Sequence, residues 1–411
     1  MTLAPAPIPS IPNDLLKRSL ALIDQNRPDR YVVSVDEYVA FRRDGVLIVR
    51  GLVSKAEIDE LRQHTEDLMQ GRLPEQQQTM QFEYDADGKP IVKNGVHCQG
   101  LEKPPEHFTP EQKADFWLRI HMLHRKLEIH ERFLLHPRVI DVLEALIGPD
   151  ILALQSMLFL KGPGKPGQGF HQDSYYIPTY PDSLCGAWIA VDDVDEENGC
   201  MYFTPGSQHE PIYPPADSYG FGDAALAGMQ RVRGVSDTDD TKNDLARIAA
   251  KKYGVTSRGV NEICARMKAG DVAFFGGHVF HRSHTNVSKD RFRRSFVGHY
   301  CNARCYTDWG ADGDLANNVH ASPAWDRETG MSNASHILAR GDTHLPFAKP
   351  RFGTPCSALI PTETRRQFRR PGVSMMGMPS GQMGQSPHGS DDDHDKAHAA
   401  EEKAAQGYKA E

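Results

Sequence analysis

No stretch of this 411-residue chain is apolar for long enough to cross a bilayer, so no membrane association is expected. Nor is there an excess of positive charge. The 47 Lys and Arg residues against 55 Asp and Glu give a net charge of -8 at pH 7, which offers no electrostatic footprint for nucleic acid. Cysteine is sparse. The seven, Cys98, Cys185, Cys200, Cys264, Cys301, Cys305 and Cys356, are odd in number and scattered, unlike a disulfide framework. Met1 to Pro12 carries proline but no Lys or Arg ahead of an apolar core, unlike a signal peptide. Together these absences predict a reducing, cytoplasmic setting.

What is present is a globular composition, 39% hydrophobic and 25% charged, over a length that can bury a large core. Residues 1–34 read as an amino-terminal extension and 35–345 as a single domain. Its first part, 35–150, is mostly helical. Apolar residues recur at helical spacing from Val35 to Arg43 and stop at Asp44-Gly45, where glycine supplies a left-handed cap. Val46 to Val49 is a short buried strand, and Ser54 with Glu57 forms a capping box ahead of a stripe of Ile58, Leu61 and Leu68. Glu75 to Gly100 reads as irregular, and Pro110 to Leu146 as helices broken at Pro137.

After Pro149 the pattern changes to short strands joined by glycine and proline turns, over Ile151–Leu160, Ala187–Val191, Cys200–Thr204, Val272–Phe275 and Phe292–Tyr300. The core, 151–310, is therefore expected to be a β-barrel or sandwich. A polar insertion over about 212–267 contains an amphipathic helix, Thr241 to Tyr253, and reads equally as a cover for a site or as peripheral decoration. Residues 346–376, with Arg365, Arg366, Arg369 and Arg370, form a carboxyl-terminal extension, and 377–411 reads as a disordered tail.

The chemistry centres on Phe170 to Pro178. In an extended segment His171 and Asp173 project to one face while Gln172 points away, so an imidazole and a carboxylate can occupy adjacent positions on a metal. Two histidines and one carboxylate on one face mark non-haem Fe(II) oxygenases. The third ligand is sought among His278, His281 and His284, any of which is placed to serve. The strand that follows begins with Arg291, Arg293 and Arg294, and an arginine there suits a dicarboxylate, which guanidinium grips bidentately. The plainer reading of that cluster is a basic surface. Cys301 and Cys305 beside His299 lack a full set of zinc ligands and read as core thiols.

The ordered string Ala153 to Leu158, His171-Gln172-Asp173 with Tyr176 and Pro178, Cys185 to Trp188, Asn198-Gly199-Cys200, Pro205 to His209, Gly270 to Phe275, then His281, Ser283 and Asn286, resembles the phytanoyl-CoA dioxygenase family. So does the opening Phe41 to Gly45. The resemblance covers about residues 35 to 310 and implies a mainly β fold with helical flanks, a double-stranded β-helix of the jelly-roll, cupin-like kind. It also implies Fe(II), 2-oxoglutarate and O2, with succinate and CO2 released. Residue by residue it assigns His171, Asp173 and His281 to the metal, His281 because it precedes Ser283 and Asn286 in the family's His-x-Ser-x-x-Asn pattern. It assigns the far carboxylate of 2-oxoglutarate to Arg293, with Arg294 as the alternative under a different count. Ser283, Trp188, Met157 and Gln172 match further co-substrate positions, and Lys126 a basic residue from the helical region. Asp173 argues against the halogenating branch of the superfamily, which lacks that carboxylate.

The expected reaction is hydroxylation of an unactivated C–H bond in a small organic substrate, acyl-CoA-like, zwitterionic or a secondary metabolite. Tyr175, Tyr176, Tyr180 and Trp188 are candidates for lining its pocket, and Lys161, Lys165, Lys251 and Lys252 for meeting phosphates, unless they are core aromatics and solvated surface lysines. The competing classes are a divalent-metal cupin-type isomerase, lyase or metal-binding protein that does not use 2-oxoglutarate, and an interaction protein with a degenerate site, against which the intact His171, Asp173 and His281 speak. The terminal Lys409-Ala410-Glu411 is not a peroxisomal address of the Ser-Lys-Leu type. The sequence does not specify an oligomeric state.

Overall fold

The computed structural model describes residues 27–79, 102–214, 231–307, 336–341, 343, 348, 350 and 352. The expectations for residues 1–26, for most of the stretch from Glu75 to Gly100 and for everything after 352, the four arginines and the tail included, lie outside the described residues.

In chain order, helix α1 (Val35–Asp44) ends on Gly45 at φ 78° and leads into β1 (Val46–Val49). Helix α2 (Lys55–Met69) starts from the Ser54–Glu57 capping box, with Ile58, Leu61 and Leu68 buried. A parallel pair follows, β2 (Gln78–Thr79) and β3 (Glu102–Lys103), then α3 (Pro110–Phe116), β4 (Arg119–His121), α4 (Glu128–Leu134) and α5 (Pro137–Ile147). The rest is mainly strands: β5 (Ile151–Lys161), β6 (Gln168–His171), β7 (Cys185–Ala190) and β8 (Met201–Phe203). Helix α6 (Asp244–Tyr253) precedes β9 (Ile263–Cys264), β10 (Val272–Gly276), β11 (His281–Ser283), β12 (Arg293–Asn302) and β13 (Ile337–Arg340).

The strands form a 7-stranded antiparallel sheet, β1-β10-β7-β12-β5-β13 with β4 on β5, and a 4-stranded sheet, β6-β11-β8-β9. This is the mainly β, jelly-roll architecture expected, with helical flanks. Alternation along each strand separates two cores. Leu47, Val49, Ala187, Ile189, Phe274 and Phe296 face one way and pack with Phe41, Ile58, Leu61, Phe133, Leu143 and other helical residues. Val46, Met157, Trp188, Ala273, Phe275 and Val297 face the other way and pack with Met201 and Phe203 of the smaller sheet. The site lies on that inner side.

Three elements differ from the sequence reading. Strand β4 interrupts a stretch read as helical. Its three residues are too few for a period to show, and they form because the edge of β5 accepts them at Met157 to Phe159 while Ile120 packs among Leu158 and Leu160. The insertion is shorter than 212–267, since β9 pairs with β8 and Met267 bridges Val194, which returns the chain to the smaller sheet. Its described part packs on β6: Phe170 enters a cluster with Val232, Leu245 and Ala249, and His171 points to the opposite face. Strand β13 was not anticipated; it adds to β5 at Ile151 to Ala153.

Candidate active site

Strand β6 ends on His171, and Gln172 stays extended (φ −119°, ψ 133°), so Asp173, the first residue of a 3-10 turn, returns to the side of His171. His281 opens β11 directly opposite His171 in register, with ring centroids 4.1 Å apart. Asp173 Oδ1 lies 3.6 Å from His171 Nε2 and 3.5 Å from His281 Nε2. These three buried residues are the one group of its kind among the described residues whose ligand atoms all lie within 4.8 Å of one another. His278 and His284 are engaged elsewhere. Nδ1 of His278 is 2.7 Å from the Glu210 carbonyl, and the His284 ring packs edge-on to Tyr202.

The donor set fits a divalent iron. His171 Nδ1 lies 2.9 Å from the Gly169 carbonyl and His281 Nδ1 3.0 Å from the Val279 carbonyl. A carbonyl only accepts, so each Nδ1 carries the proton and each Nε2 turns a lone pair toward Asp173. Burial, then the neighbouring His281, pushes the His171 imidazole down to about 3, which keeps it a neutral ligand. Burial alone would raise Asp173, but His281 and His299 outweigh it and hold the carboxylate well below its ordinary range. His299 Nε2 is 3.1 Å from Asp173 Oδ2, so it donates to the oxygen turned away from the two ligand histidines. This positioning partner was missed in the sequence, though it stands in phase with Arg293 at every second residue of β12.

Register also gathers a second cluster of side chains. Arg293 pairs with Lys161, Ser295 with Phe159 and Val297 with Met157, while Val297 pairs on its other side with Trp188. Cross-strand partners share a face, so these side chains meet on the inner side of the larger sheet. The Arg293 guanidinium lies 5.5 Å from the Trp188 ring and 5.9 Å from Phe159. It is 4% exposed, makes one long hydrogen bond to Ser295 Oγ (3.5 Å), and leaves a buried Nε without a partner. Burial pushes it down to about 10. Arg294 points to the other face, where it is bound to Asp192 (2.8 Å) and to Glu66. Of the two arginines, Arg293 alone lacks a carboxylate partner.

The Gln172 amide nitrogen donates to the Pro211 and His278 carbonyls (3.1 and 3.0 Å), which ties two loops together, and its buried Oε1 has no partner. Lys126 is half-buried after the turn Leu123–Arg125. The basic residue from the helical part whose charge acts on His171 is Arg119, opposite Phe159 on β4. Ser283 Oγ accepts from the Gln168 backbone (3.2 Å) and lies 3.4 Å from Lys161 Nζ. Lys161 is 2% exposed, so it is not a solvated surface lysine. Its place in phase with Met157 and Phe159 on β5 was the overlooked signal. Lys165 pairs with Asp115 and Lys252 with Glu210. Cys301 and Cys305 are buried thiols raised by desolvation. No described helix is long and apolar enough to cross a membrane.

A sequence profile of phytanoyl-CoA dioxygenase matches residues 41–295. The peroxisomal phytanoyl-CoA dioxygenase of Bos taurus is 26% identical over 283 residues, 67% of this chain and 70% of its own length. The phytanoyl-CoA dioxygenase domain-containing protein 1 of Danio rerio is 27% identical over 197 residues, 44% of this chain and 67% of its own. Among solved structures, EctD from S. alaskensis with 2-oxoglutarate and 5-hydroxyectoine is 18% identical, covers 66% of this chain and 77% of its own, and has a TM-score of 0.43.

Proposed function

The chain belongs to the phytanoyl-CoA dioxygenase family, and from that membership we propose an Fe(II)- and 2-oxoglutarate-dependent oxygenase that hydroxylates an unactivated C–H bond of a small organic substrate. The observation that carries the reading is the meeting of two half-sites on one inner face: His171, Asp173 and His281 from the smaller sheet, and Arg293 from the larger. Iron held there supplies the redox chemistry by which 2-oxoglutarate and O2 become succinate and CO2 while the substrate gains a hydroxyl.

The chain's own residues do the rest. His171 and His281 present Nε2 in the neutral tautomer, because the Gly169 and Val279 carbonyls hold the Nδ1 protons. Asp173 offers Oδ1, and His299 fixes the carboxylate through Oδ2. Arg293, wedged between Trp188 and Phe159, supplies the Nε and terminal donors that receive the far carboxylate of 2-oxoglutarate. Met157, Trp188 and Ser283 complete that pocket and exclude water from it. We place the substrate beside Tyr176, whose ring is 6.4 Å from that of His171 and whose hydroxyl meets Ser236 of the insertion at 2.9 Å. Tyr175 is buried against Tyr176, and Tyr180 is 50% exposed. With Lys161 buried and Lys165 and Lys252 in ion pairs, an acyl-CoA substrate loses most of its expected phosphate partners, which favours a smaller substrate.

The test is anaerobic. Fe(II) and then 2-oxoglutarate are added to metal-free protein, and the visible charge-transfer band of the chelate is followed. The band is expected in the wild type, absent in His281→Ala, and displaced to 2-oxoglutarate concentrations on the order of 100-fold higher in Arg293→Ala, with Arg294→Ala unaffected. Iron binding without a band would remove the co-substrate and favour Lewis-acid chemistry.

A further inference from the structure

Lys161 closes β5 just before Gly162-Pro163-Gly164, where a lysine ordinarily reaches into water. Here it is turned inward. Its Nζ donates to the Gly199 carbonyl (3.3 Å), to Ser283 Oγ (3.4 Å) and to the His284 carbonyl, all uncharged acceptors. Directly opposite in the ladder stands Arg293.

Five lysine and arginine side chains are buried among the described residues: Lys161, Arg282, Arg293, Arg294 and Arg340. Three have carboxylate partners. Arg282 pairs with Glu262 (2.6 Å), Arg294 with Asp192 (2.8 Å) and Arg340 with Asp141 (2.8 Å). Lys161 and Arg293 have none, and they are cross-strand partners on the inner face of the larger sheet. Two like charges buried side by side without a counterion are costly, through desolvation and mutual repulsion. A fold that pairs its other buried cations and leaves these two unpaired has built a receptor for an anion. Burial and Arg293 push the Lys161 ammonium down to about 6, the same strain seen from the lysine's side.

Ser283 gives the receptor its direction. Its oxygen accepts from the Gln168 backbone N–H at 3.2 Å and from Lys161 at 3.4 Å. Both lone pairs are then occupied, and the hydroxyl proton is left to act as a donor. We propose that Lys161 is the positioning residue of the dicarboxylate pocket: it orients Ser283 as a donor and adds the second positive charge that makes the pocket select a 2-oxo acid with a far carboxylate. This rests on the 2-oxoglutarate reading above. It adds that selectivity for the dicarboxylate is shared between the two sheets, through Lys161 of β5 and Ser283 of β11.

The experiment compares two ligands on the Fe(II)-loaded protein without oxygen: 2-oxoglutarate, and 2-oxopentanoate, which has the same chelating end and a methyl in place of the far carboxylate. Affinity is read from the charge-transfer band in wild type, Lys161→Gln, Lys161→Met and Ser283→Ala, each checked for folding by its thermal melt. Gln removes the charge and keeps a polar donor on a side chain one bond shorter, so it is the variant chosen to preserve the fold, with Met as the near-isosteric control. Lys161→Gln is expected to lose on the order of 10- to 100-fold in 2-oxoglutarate affinity and less than about 2-fold for 2-oxopentanoate. Ser283→Ala, which leaves the lysine in place, is expected to lose selectivity in the same direction. Equal losses for both ligands, or none for either, would overturn the proposal and leave Lys161 a packing residue. A wild type that shows no band with either ligand would defeat the underlying co-substrate reading instead, so the two failures are separable.

Discussion

At the scale of single residues, polar groups in this site are set by what their far atoms touch. The two ligand histidines are oriented by backbone carbonyls, Asp173 by His299, and Ser283 by Lys161 and Gln168. Lys161 also has a consequence for stability. Its folded value of about 6 lies below the ordinary lysine value of about 10.4, so between those limits the unfolded chain holds more protons than the folded one. The penalty for this lysine is absent above the upper limit, grows as the pH falls and is complete below about 6. Co-substrate-free wild type is therefore expected to gain more stability than Lys161→Met as the pH is raised from 6 to 9, seen as a larger rise in denaturant midpoint. Parallel midpoints in the two proteins would show that the lysine stays charged when buried.

At the scale of elements, the short strands β6 and β11 and the turn after β6 carry the proposed metal ligands, and their geometry depends on close backbone approach. A Cβ on Gly169 would sit 1.7 Å from the Asp237 carbonyl oxygen of the insertion, and one on Gly167 1.8 Å from that of Ser283. Gly169 also supplies the carbonyl that orients His171. Gly169→Ala is expected to destabilise the protein by roughly 1–3 kcal/mol and to weaken Fe(II) binding, measured by denaturant unfolding and by metal titration. Unchanged iron affinity would show that the insertion yields and leaves β6 in place. The helix α1 and its glycine cap, the capping box of α2 and the β5 run were legible in the sequence because caps and periods are local signals. Strand β4 was not, because its three residues become a strand only through the free edge of β5.

At the scale of the whole molecule, residues ahead of α1 and a residue of β13 converge on helix α5. Arg27 and Arg340 both bind Asp141, a fully buried carboxylate, and Arg30 and Arg340 bind Glu144. Residues more than a hundred positions apart on either side are thereby tied to the layer behind the larger sheet. Removing one cation from such a cluster leaves a buried negative charge poorly compensated. Arg340→Ala is expected to lower the melting temperature by several degrees, corresponding to about 3 kcal/mol, while the 2-oxoglutarate affinity of the folded protein stays within about 2-fold of wild type. Loss of affinity in step with the melting temperature would mean that the outer layer and the inner pocket are coupled.

The sequence by itself determined the family and the mainly β fold with helical flanks, and pointed to iron and 2-oxoglutarate, because these rest on residue types in a fixed order: His171 and Asp173 two apart, His281 before Ser283 and Asn286, and an arginine opening the next strand. Choices between neighbours were left to tertiary structure. Arg293 and Arg294 are equivalent as letters, and only the register of β12 turns one inward between Trp188 and Phe159 and the other outward to Asp192. Lys161 reads as a surface lysine until β5 is paired with β12, and His299 as a neighbour of core thiols until its ring is found on Asp173. Order along the chain preserves chemistry that is carried by residue type. Which face a side chain takes, and which charge lies opposite it, depends on partners contributed by distant strands.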